Sequence, residues 1–255
     1  MSSALPYPQD FAAELTRDLW ARIMAGEFTG ARPRMAATLM IVDRTGVQPR
    51  VLMGKRNQSH KFMPGRFVFP GGRVEPGDRR MSAAGALNSA TELKLMACLR
   101  RPSPQAARAL ALAAIRETFE ETGLLIGVAD CGAPENPPEG AWTEFAAQNM
   151  FPALDDVHFI GRAITPPRNR LRFDTFFLCV EAGAIAGTVE GKVGASMELV
   201  ALDWPTIPEA LDMGAVPITK VMLRELANRL AGGLNPHAPT PVYTTGRKGW
   251  ERREI

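Results

Sequence analysis

The stretch RETFEETG at residues 116–123 places three glutamates within five positions near the predicted end of a helix. Ser103 and Pro104 indicate where that helix begins, because serine caps helix N-termini and proline is tolerated in the first turn. Gly123 indicates where it ends, because glycine readily adopts the left-handed conformation of a helix C-cap. The acidic stretch is therefore predicted to occupy the last turns of a helix.

The three carboxylates are predicted to share one patch of this helix. A helix has about 3.6 residues per turn, so Glu117 lies one turn before Glu120 and Glu121 and projects in a similar direction. Like charges at this spacing repel one another, which favours a cation that compensates them. An acidic helix face in contact with solvent would produce the same pattern, so a second feature is needed to indicate a function.

The composition is that of an ordinary folded protein. Of the 255 residues, 45% are apolar and 22% are charged, which argues against a disordered chain and allows one large domain or two small ones. The formal net charge of +3 is mild and compatible with an anionic small-molecule substrate. Nucleic-acid binding usually needs a concentrated basic face, so we expect no nucleic-acid partner.

The cysteines and the hydropathy favour a reducing compartment and no membrane contact. Cys98, Cys131 and Cys179 are too few and too scattered for a disulfide framework or a zinc site. No apolar run approaches the roughly 20 residues of a membrane-spanning helix. The first residues also lack the basic-then-apolar pattern of an export signal. We therefore expect a cytoplasmic protein.

Hydrophobic periodicity predicts an α/β fold in which helices flank one mixed sheet. Residues 9–25 have apolar side chains at helical spacing, so 1–33 is predicted to be an N-terminal amphipathic helix with its linker. Residues 34–232 are predicted to form the main domain, with an added helical segment at 79–102, and 233–255 to form a tail. Strands are predicted at 35–42, 50–54, 67–69, 123–128, 158–165, 173–181 and 199–203, and the last helices at 207–213 and 219–231.

A second feature lies far upstream, where the strand at 67–69 runs into Pro70-Gly71-Gly72. Glycine lets the backbone approach a ligand closely, although such a turn is common and indicates no function by itself. Combined with the acidic stretch, it resembles the Nudix box, whose pattern is Gly-x5-Glu-x7-Arg-Glu-U-x-Glu-Glu-x-Gly-U, with U a bulky apolar residue. Gly72 fits the first position and Asp78 stands where the family has glutamate. The second half is matched by Arg116, Glu117, Glu120, Glu121, Gly123 and Leu124, with Thr118 at a position that is apolar in the family.

The box is split in this chain, because 37 residues separate Asp78 from Arg116, against seven in the standard pattern. A junction between a loop and a helix tolerates such an insertion, since lengthening a surface loop adds little closure entropy. The split box resembles the Nudix subgroup that includes peroxisomal coenzyme A diphosphatases. An upstream signature of coenzyme A-directed members is matched in part, by Leu52, Arg56, Gly65 and Phe69. Asn57, Lys61 and the pair Met53-Gly54 depart from it.

The resemblance implies the Nudix α/β/α sandwich and a metal-dependent hydrolase that cleaves the diphosphate linkage of a nucleoside diphosphate derivative. Coenzyme A or an acyl-coenzyme A is the first candidate substrate. Mg²⁺ or Mn²⁺ would be the cofactor, because hard oxygen donors suit these ions, and the ion would activate water and neutralise phosphoryl charge. Its ligands would be Glu117, Glu120, Glu121, the Gly71 carbonyl and a later acid, either Glu198 or, as second choice, Glu190.

The resemblance also implies the roles of the remaining site residues. The catalytic group would consist of Glu117, Glu120 and Arg116. Arg116 would orient a carboxylate of the box through a charge-assisted hydrogen bond, and Glu117 would act as general base. The substrate would be bound by Arg56, Lys61, Arg66 and Gly72.

Other interpretations stay open. A diphosphatase for ADP-ribose or an NADH-type dinucleotide is the alternative within the enzyme class, because the upstream signature is incomplete. A Nudix module that senses a nucleotide without cleaving it would not need the three intact glutamates. An RNA-binding domain would need aromatic and basic clustering that the sequence lacks. A homodimer is the expectation that the family resemblance gives.

Overall fold

The computed structural model describes residues 32–59, 63–129, 131–167, 171–246 and 249–255. The predicted N-terminal helix at 9–25 lies outside the described residues, as does Lys61. None of the described helices is long and apolar enough to cross a membrane.

The strands, in chain order, are β1 (Arg34–Asp43), β2 (Arg50–Val51), β3 (Met53–Arg56), β4 (Phe67–Val68), β5 (Gly71–Arg73), β6 (Leu124–Val128), β7 (Phe151–Pro152), β8 (His158–Ile164), β9 (Phe173–Glu181), β10 (Ile185–Thr188), β11 (Leu199–Asp203), β12 (Pro241–Gly246) and β13 (Gly249–Glu254). The helices are α1 (Ser89–Ala97), α2 (Pro104–Thr122), α3 (Ala141–Ala146), α4 (Ile207–Asp212) and α5 (Pro217–Ala231), with a 3₁₀ turn at Ala182–Ala184.

β1 is an inner strand of a seven-stranded mixed sheet with the order β13-β12-β8-β9-β1-β2, and β5 also pairs with β1. β1 runs parallel to β9, with Arg34 opposite Phe173. It runs antiparallel to β5, with Ala37 opposite Gly72. Two three-stranded sheets, β10-β6-β7 and β11-β3-β4, complete the strands.

Alternation along β1 explains why helices cover both faces of the large sheet. Leu39 and Ile41 belong to one apolar cluster, together with the buried face of α2. Met40 and Val42 point to the opposite face and belong to a second cluster, together with α5. The predicted α/β fold with a mixed sheet between helices is therefore confirmed.

The segment at 79–102 contains the helix α1, which is shorter than the whole segment. Asn88 Oδ1 accepts a hydrogen bond from Ala90 N at 3.0 Å and caps the helix. Gly85, at φ +65°, turns the chain before this cap. An asparagine cap and a left-handed glycine together prevent the helix from beginning earlier.

The C-terminal residues are not the tail that was predicted for 233–255. They form β12 and β13, which pair with each other, and β12 also runs parallel to β8. Val242 and Tyr243 are buried in β12, and Trp250 packs against the α5 cluster. The prediction was wrong because proline, glycine and charge gave no local period, whereas the hydrogen bonds come from a strand that is distant in sequence.

Two cations fix the chain that leads into β12. Arg229 of α5, which is buried, donates to the Pro239 carbonyl at 3.0 Å and to Thr240 Oγ1 at 3.1 Å. Lys94 of α1 donates to the Pro236 carbonyl at 2.7 Å. The inserted helix and the C-terminal strands are thus bound to each other.

Replacing Arg229 with methionine would remove its hydrogen bonds to Pro239 and Thr240 and leave these acceptors without that donor. We expect the free energy of unfolding of Arg229→Met, measured by urea denaturation, to fall by about 2–3 kcal/mol. Arg253→Met, at an exposed arginine of β13, is the matched control and should change it by less than about 0.5 kcal/mol. Equal effects of the two variants would show that Arg229 does not anchor the segment.

Candidate active site

The acidic stretch lies where the sequence predicts it, in the last turns of α2. Ser103 Oγ accepts a hydrogen bond from Ala106 N at 3.1 Å, and Gly123 ends the helix with φ +78°. Thr118, which departs from the box pattern, is buried and donates to the Ala114 carbonyl at 2.8 Å. Its hydroxyl is thus satisfied within the helix.

Arg116 joins the two halves of the split box. Its Nε donates to Oδ1 of the fully buried Asp78 at 2.8 Å. Its Nη2 donates to the Arg73 carbonyl of β5 at 2.7 Å. Its Nη1 lies 3.0 Å from Glu117 Oε1 and 2.8 Å from Glu120 Oε2. One guanidinium therefore connects the upstream loop, a strand and two glutamates of α2.

Asp78 is held by donors from three parts of the chain. Besides Arg116, it accepts a hydrogen bond from Glu75 N at 2.7 Å and from Trp142 Nε1 at 3.0 Å. Trp142 belongs to α3 and is buried. A carboxylate has about four lone-pair sites, so these donors together fix the orientation of Asp78.

Burial governs the protonation of the three glutamates. It raises the pKa of Glu117 to about 7, against the opposing charge of Arg116. It also raises the pKa of Glu120, and it raises the pKa of Glu121 well above its usual range, to which the nearby Glu198 carboxylate adds. Arg116 compensates Glu117 and Glu120 only in part, and a bound cation would favour the ionised form of all three carboxylates.

The glycine pair lies in the strand β5 rather than in a turn. β1 pairs with one edge of β5. α2 contacts the other edge through Glu121 Oε2, which accepts a hydrogen bond from Gly71 N at 3.3 Å. A Cβ atom on Gly72 would lie 2.3 Å from Cδ of Glu117, so a side chain there would displace that glutamate. Glycine is required because α2 lies directly against the strand.

The later acid also lies beside the cluster. Glu198 Oε1 is 2.9 Å from Arg56 Nη1, and Arg56 Nη2 is 3.9 Å from Glu121 Oε1. The second choice, Glu190, lines a smaller adjoining cavity together with the glutamates of α2. Both candidates from the loop before β11 are thus close to the acidic stretch.

These groups line part of a cavity of about 870 Å³. Its wall includes the glutamates of α2, Glu198, Gly71, Gly72, Arg56 and Arg116. Apolar and aromatic side chains form much of the remainder, among them Met63, Phe69, Phe173, Phe177 and Ile218. A cavity of this size and lining is suited to a ligand as large as a nucleotide.

One predicted substrate contact is not brought to this cavity. Arg66 lies outside its lining, and its Nη1 donates to the Gly214 carbonyl at 3.1 Å. Lys61 lies outside the described residues. Of the four predicted substrate-binding residues, the structure places Arg56 and Gly72 on the cavity wall.

Two cavity arginines were missed from the sequence. Arg34 of β1 and Arg73 of β5 both line the cavity, as do Phe173 and Phe177 of β9. Alternate positions along each strand are the only signal for such residues. Which alternate set faces a cavity depends on strand pairing, which a single sequence does not reveal.

Among the described residues, no three His, Cys, Asp or Glu side chains converge closely enough to hold an ion as they stand. The donors nevertheless fit a hard divalent cation, because Glu117, Glu120, Glu121 and Glu198 supply only oxygen ligands around one cavity. Burial raises the pKa of the first three, and a divalent cation among them would favour their ionised forms.

Comparison with known proteins identifies the fold. No family model and no curated protein matches the sequence. The chain is similar to the crystal structure of a Nudix hydrolase from Alicyclobacillus acidocaldarius, with a TM-score of 0.58 and 25% identity over 78% of this chain and 93% of that one.

More distant likenesses are to Nudix proteins as well. The Nudix domain of Shewanella oneidensis NrtR, complexed with ADP-ribose, gives a TM-score of 0.44 at 12% identity over 78% of this chain and 90% of that one. An Ap4A hydrolase from C. elegans gives a TM-score of 0.39 at 14% identity, over 77% of this chain and 98% of that one. The Alicyclobacillus structure confirms the Nudix fold and the predicted class of enzyme, a hydrolase acting on phosphorus-containing acid anhydrides.

Replacing Trp142 with phenylalanine would keep an aromatic ring and remove the N–H that Asp78 accepts. Because Asp78 then orients Arg116 less firmly, we expect kcat for diphosphate hydrolysis to fall about tenfold, with little change in KM. Steady-state kinetics measure both. Trp204→Phe, at a half-buried tryptophan outside the cavity lining, is the control. A Trp142 variant as active as this control would contradict the role of the indole.

Proposed function

We propose that this chain, which has the fold of the Nudix hydrolases, is a divalent-metal-dependent diphosphatase that cleaves nucleoside diphosphate derivatives. The observation that carries the proposal is the cluster of Glu117, Glu120 and Glu121 on the wall of a nucleotide-sized cavity, with pKa values raised by burial. Several carboxylates brought together beside one arginine repel one another and are costly to a fold. Such a cluster is therefore better explained by a cation that it binds than by a structural role.

Oxygen atoms of the cluster hold Mg²⁺ or Mn²⁺ in this proposal. The ligands are Glu117, Glu120, Glu121, Glu198 and the Gly71 carbonyl. When bound, the ion lowers the pKa of the attacking water and neutralises charge on the phosphoryl oxygens. Arg116 positions Glu117 and Glu120 through its contacts of 3.0 and 2.8 Å.

Glu117 is the general base of the proposal. Its carboxylate lies on the cavity wall directly against Gly72, where the diphosphate would approach, and burial raises the pKa of this group to about 7. The side chain of Glu120 is 39% exposed, so it faces the solvent that enters the cavity. Arg56 supplies positive charge for the substrate, and the bare backbone at Gly72 lets the diphosphate approach β5.

The proposed substrate is coenzyme A or an acyl-coenzyme A. We also propose that the chain is related to the subgroup that includes the peroxisomal coenzyme A diphosphatases. Support comes from the partial signature at Leu52, Arg56, Gly65 and Phe69 and from the apolar part of the cavity wall, which suits a pantetheine or acyl chain. ADP-ribose or an NADH-type dinucleotide is the alternative, because Phe173 and Phe177 offer rings on which a second base could stack. We further propose a cytoplasmic enzyme, free or as a homodimer, that acts on small molecules.

A panel of substrates tests the proposal. The protein is incubated with Mg²⁺ or Mn²⁺ and with coenzyme A, an acyl-coenzyme A, ADP-ribose or NADH, and the products are identified by mass spectrometry. Release of 3′,5′-ADP and a phosphopantetheine would support the first substrate. Release of AMP from ADP-ribose or NADH alone would support the second. Nucleotide binding without any cleavage would indicate a sensor and contradict the proposal.

Replacing Glu121 with glutamine removes one charge from the proposed metal site and nearly preserves the size of the side chain. We expect kcat to fall by roughly a hundredfold or more. Chelation with EDTA should abolish hydrolysis by the wild type, and added Mn²⁺ should restore it. Glu251→Gln, at an exposed glutamate of β13, is the control and should keep full activity. Full activity of the Glu121 variant would contradict the metal assignment.

A further inference from the structure

We infer that Arg34 and Arg73 form a subsite for a phosphate on the ribose of the substrate, separate from the diphosphate that is cleaved. The inference rests on the proposed function for the diphosphate itself. It narrows the substrate class to nucleoside diphosphate derivatives that carry a ribose phosphomonoester.

Strand register places both arginines on the same face of the sheet. Side chains alternate along a strand, so positions 34, 36 and 38 of β1 share a face, and all three line the cavity. Ala36 lies opposite Arg73 in the antiparallel pair of β1 and β5. Arg34 is therefore the diagonal neighbour of Arg73, and such neighbours have Cα atoms roughly 7–8 Å apart. Two guanidinium groups at this spacing can donate to one phosphate from two sides.

The two arginines differ from the other arginines of the cavity in their partners. Arg116 is bound to Asp78, and Arg56 forms an ion pair with Glu198. Arg34 and Arg73 are both exposed, and their side chains make no hydrogen bond or ion pair with another described residue. Their donors therefore remain available to a ligand in the cavity.

Five carboxylates line the same cavity, namely Glu75, Glu117, Glu120, Glu121 and Glu198. Glu75 is two residues beyond Arg73, so Arg73 lies between these acids and Arg34. Arg34, at the start of β1, is the cavity arginine set farther along that strand from Gly71, whose N–H donates to Glu121.

Arg34 is separated along β1 from the contact between Gly71 and Glu121. Thr38 of β1 lies opposite Gly71, whose N–H contacts Glu121. Arg34 is four residues away along β1, or about 13 Å at 3.3 Å per residue. We assign this span to the ribose, with its 5′-diphosphate at the glutamates and a phosphate on its 2′- or 3′-oxygen at the two arginines.

An aromatic ring lies beside the arginines. Phe173 of β9 is opposite Arg34 in the parallel register and lines the cavity. The base attached to a ribose whose phosphate is held by Arg34 and Arg73 would lie near this ring. Stacking of a base on an aromatic side chain tolerates any base, so the phosphate would supply the selectivity.

Matched substrate pairs test the subsite and show whether it binds a 3′-phosphate or a 2′-phosphate. Coenzyme A carries a 3′-phosphate that dephospho-coenzyme A lacks, and NADPH carries a 2′-phosphate that NADH lacks. We expect the wild type to favour the phosphorylated member of one pair at least tenfold in kcat/KM. Arg34→Gln and Arg73→Gln should each lower kcat/KM for that member by roughly ten- to a hundredfold, mainly through KM. Hydrolysis of the unphosphorylated member should change less than twofold.

The control variant is Arg253→Gln, at an exposed arginine of β13 outside the cavity lining, which should alter neither substrate. Equal loss on both members of each pair in the Arg34 and Arg73 variants would overturn the inference. So would a wild type that does not distinguish the members of either pair.

A binding measurement separates this inference from the proposed function. Isothermal titration with 3′,5′-ADP, 2′,5′-ADP and AMP requires no turnover. If no diphosphate is cleaved, the proposed function fails. Tighter binding of one bisphosphate than of AMP, lost in Arg34→Gln and Arg73→Gln, would still support the subsite. Equal binding of all three nucleotides would overturn it.

Discussion

The buried ion pair between Asp78 and Arg116 is the constraint on which the site depends. The two residues are separated in sequence by the 37 residues between the box halves, yet Arg116 Nε lies 2.8 Å from Asp78 Oδ1. Both are almost fully buried, so loss of either partner would leave an uncompensated charge in the interior, at a cost of about 3–5 kcal/mol. The inserted segment is compatible with the box because it leaves after Asp78 and returns before Arg116.

The pair also determines how the glutamates are presented. Arg116 uses Nε for Asp78 and Nη1 for Glu117 and Glu120, so the position of the guanidinium sets the position of both carboxylates. Repulsion among the carboxylates and their burial oppose folding, and the Ala- and Leu-rich face of α2 offsets that cost through its packing on the sheet. Stability is thus supplied by the body of α2, and reactivity by its last turns.

Features set by local sequence were predictable. Ser103 and Gly123 gave the bounds of α2, because caps act within a few residues of the helix end. Features set by pairing between distant segments were not. The final two strands depend on pairing with β8. The exposure of Arg34 and Arg73 to the cavity depends on the register of β1 and β5. The role of Trp142 depends on the position of Asp78 in the folded chain. The motif identified the chemistry, and only the folded chain identified what else lines the cavity.

The central claim is that the charge of Asp78 holds Arg116 in place, and through it the glutamates that we propose as metal ligands. The direct measurement is Mn²⁺ binding by electron paramagnetic resonance in Asp78→Asn, which keeps the shape of the side chain and removes its charge. For a variant that still unfolds cooperatively, we expect the affinity for Mn²⁺ to be about tenfold weaker or more. Diphosphate hydrolysis should fall in parallel. A folded Asp78→Asn protein that binds Mn²⁺ and cleaves diphosphates as the wild type does would contradict the claim.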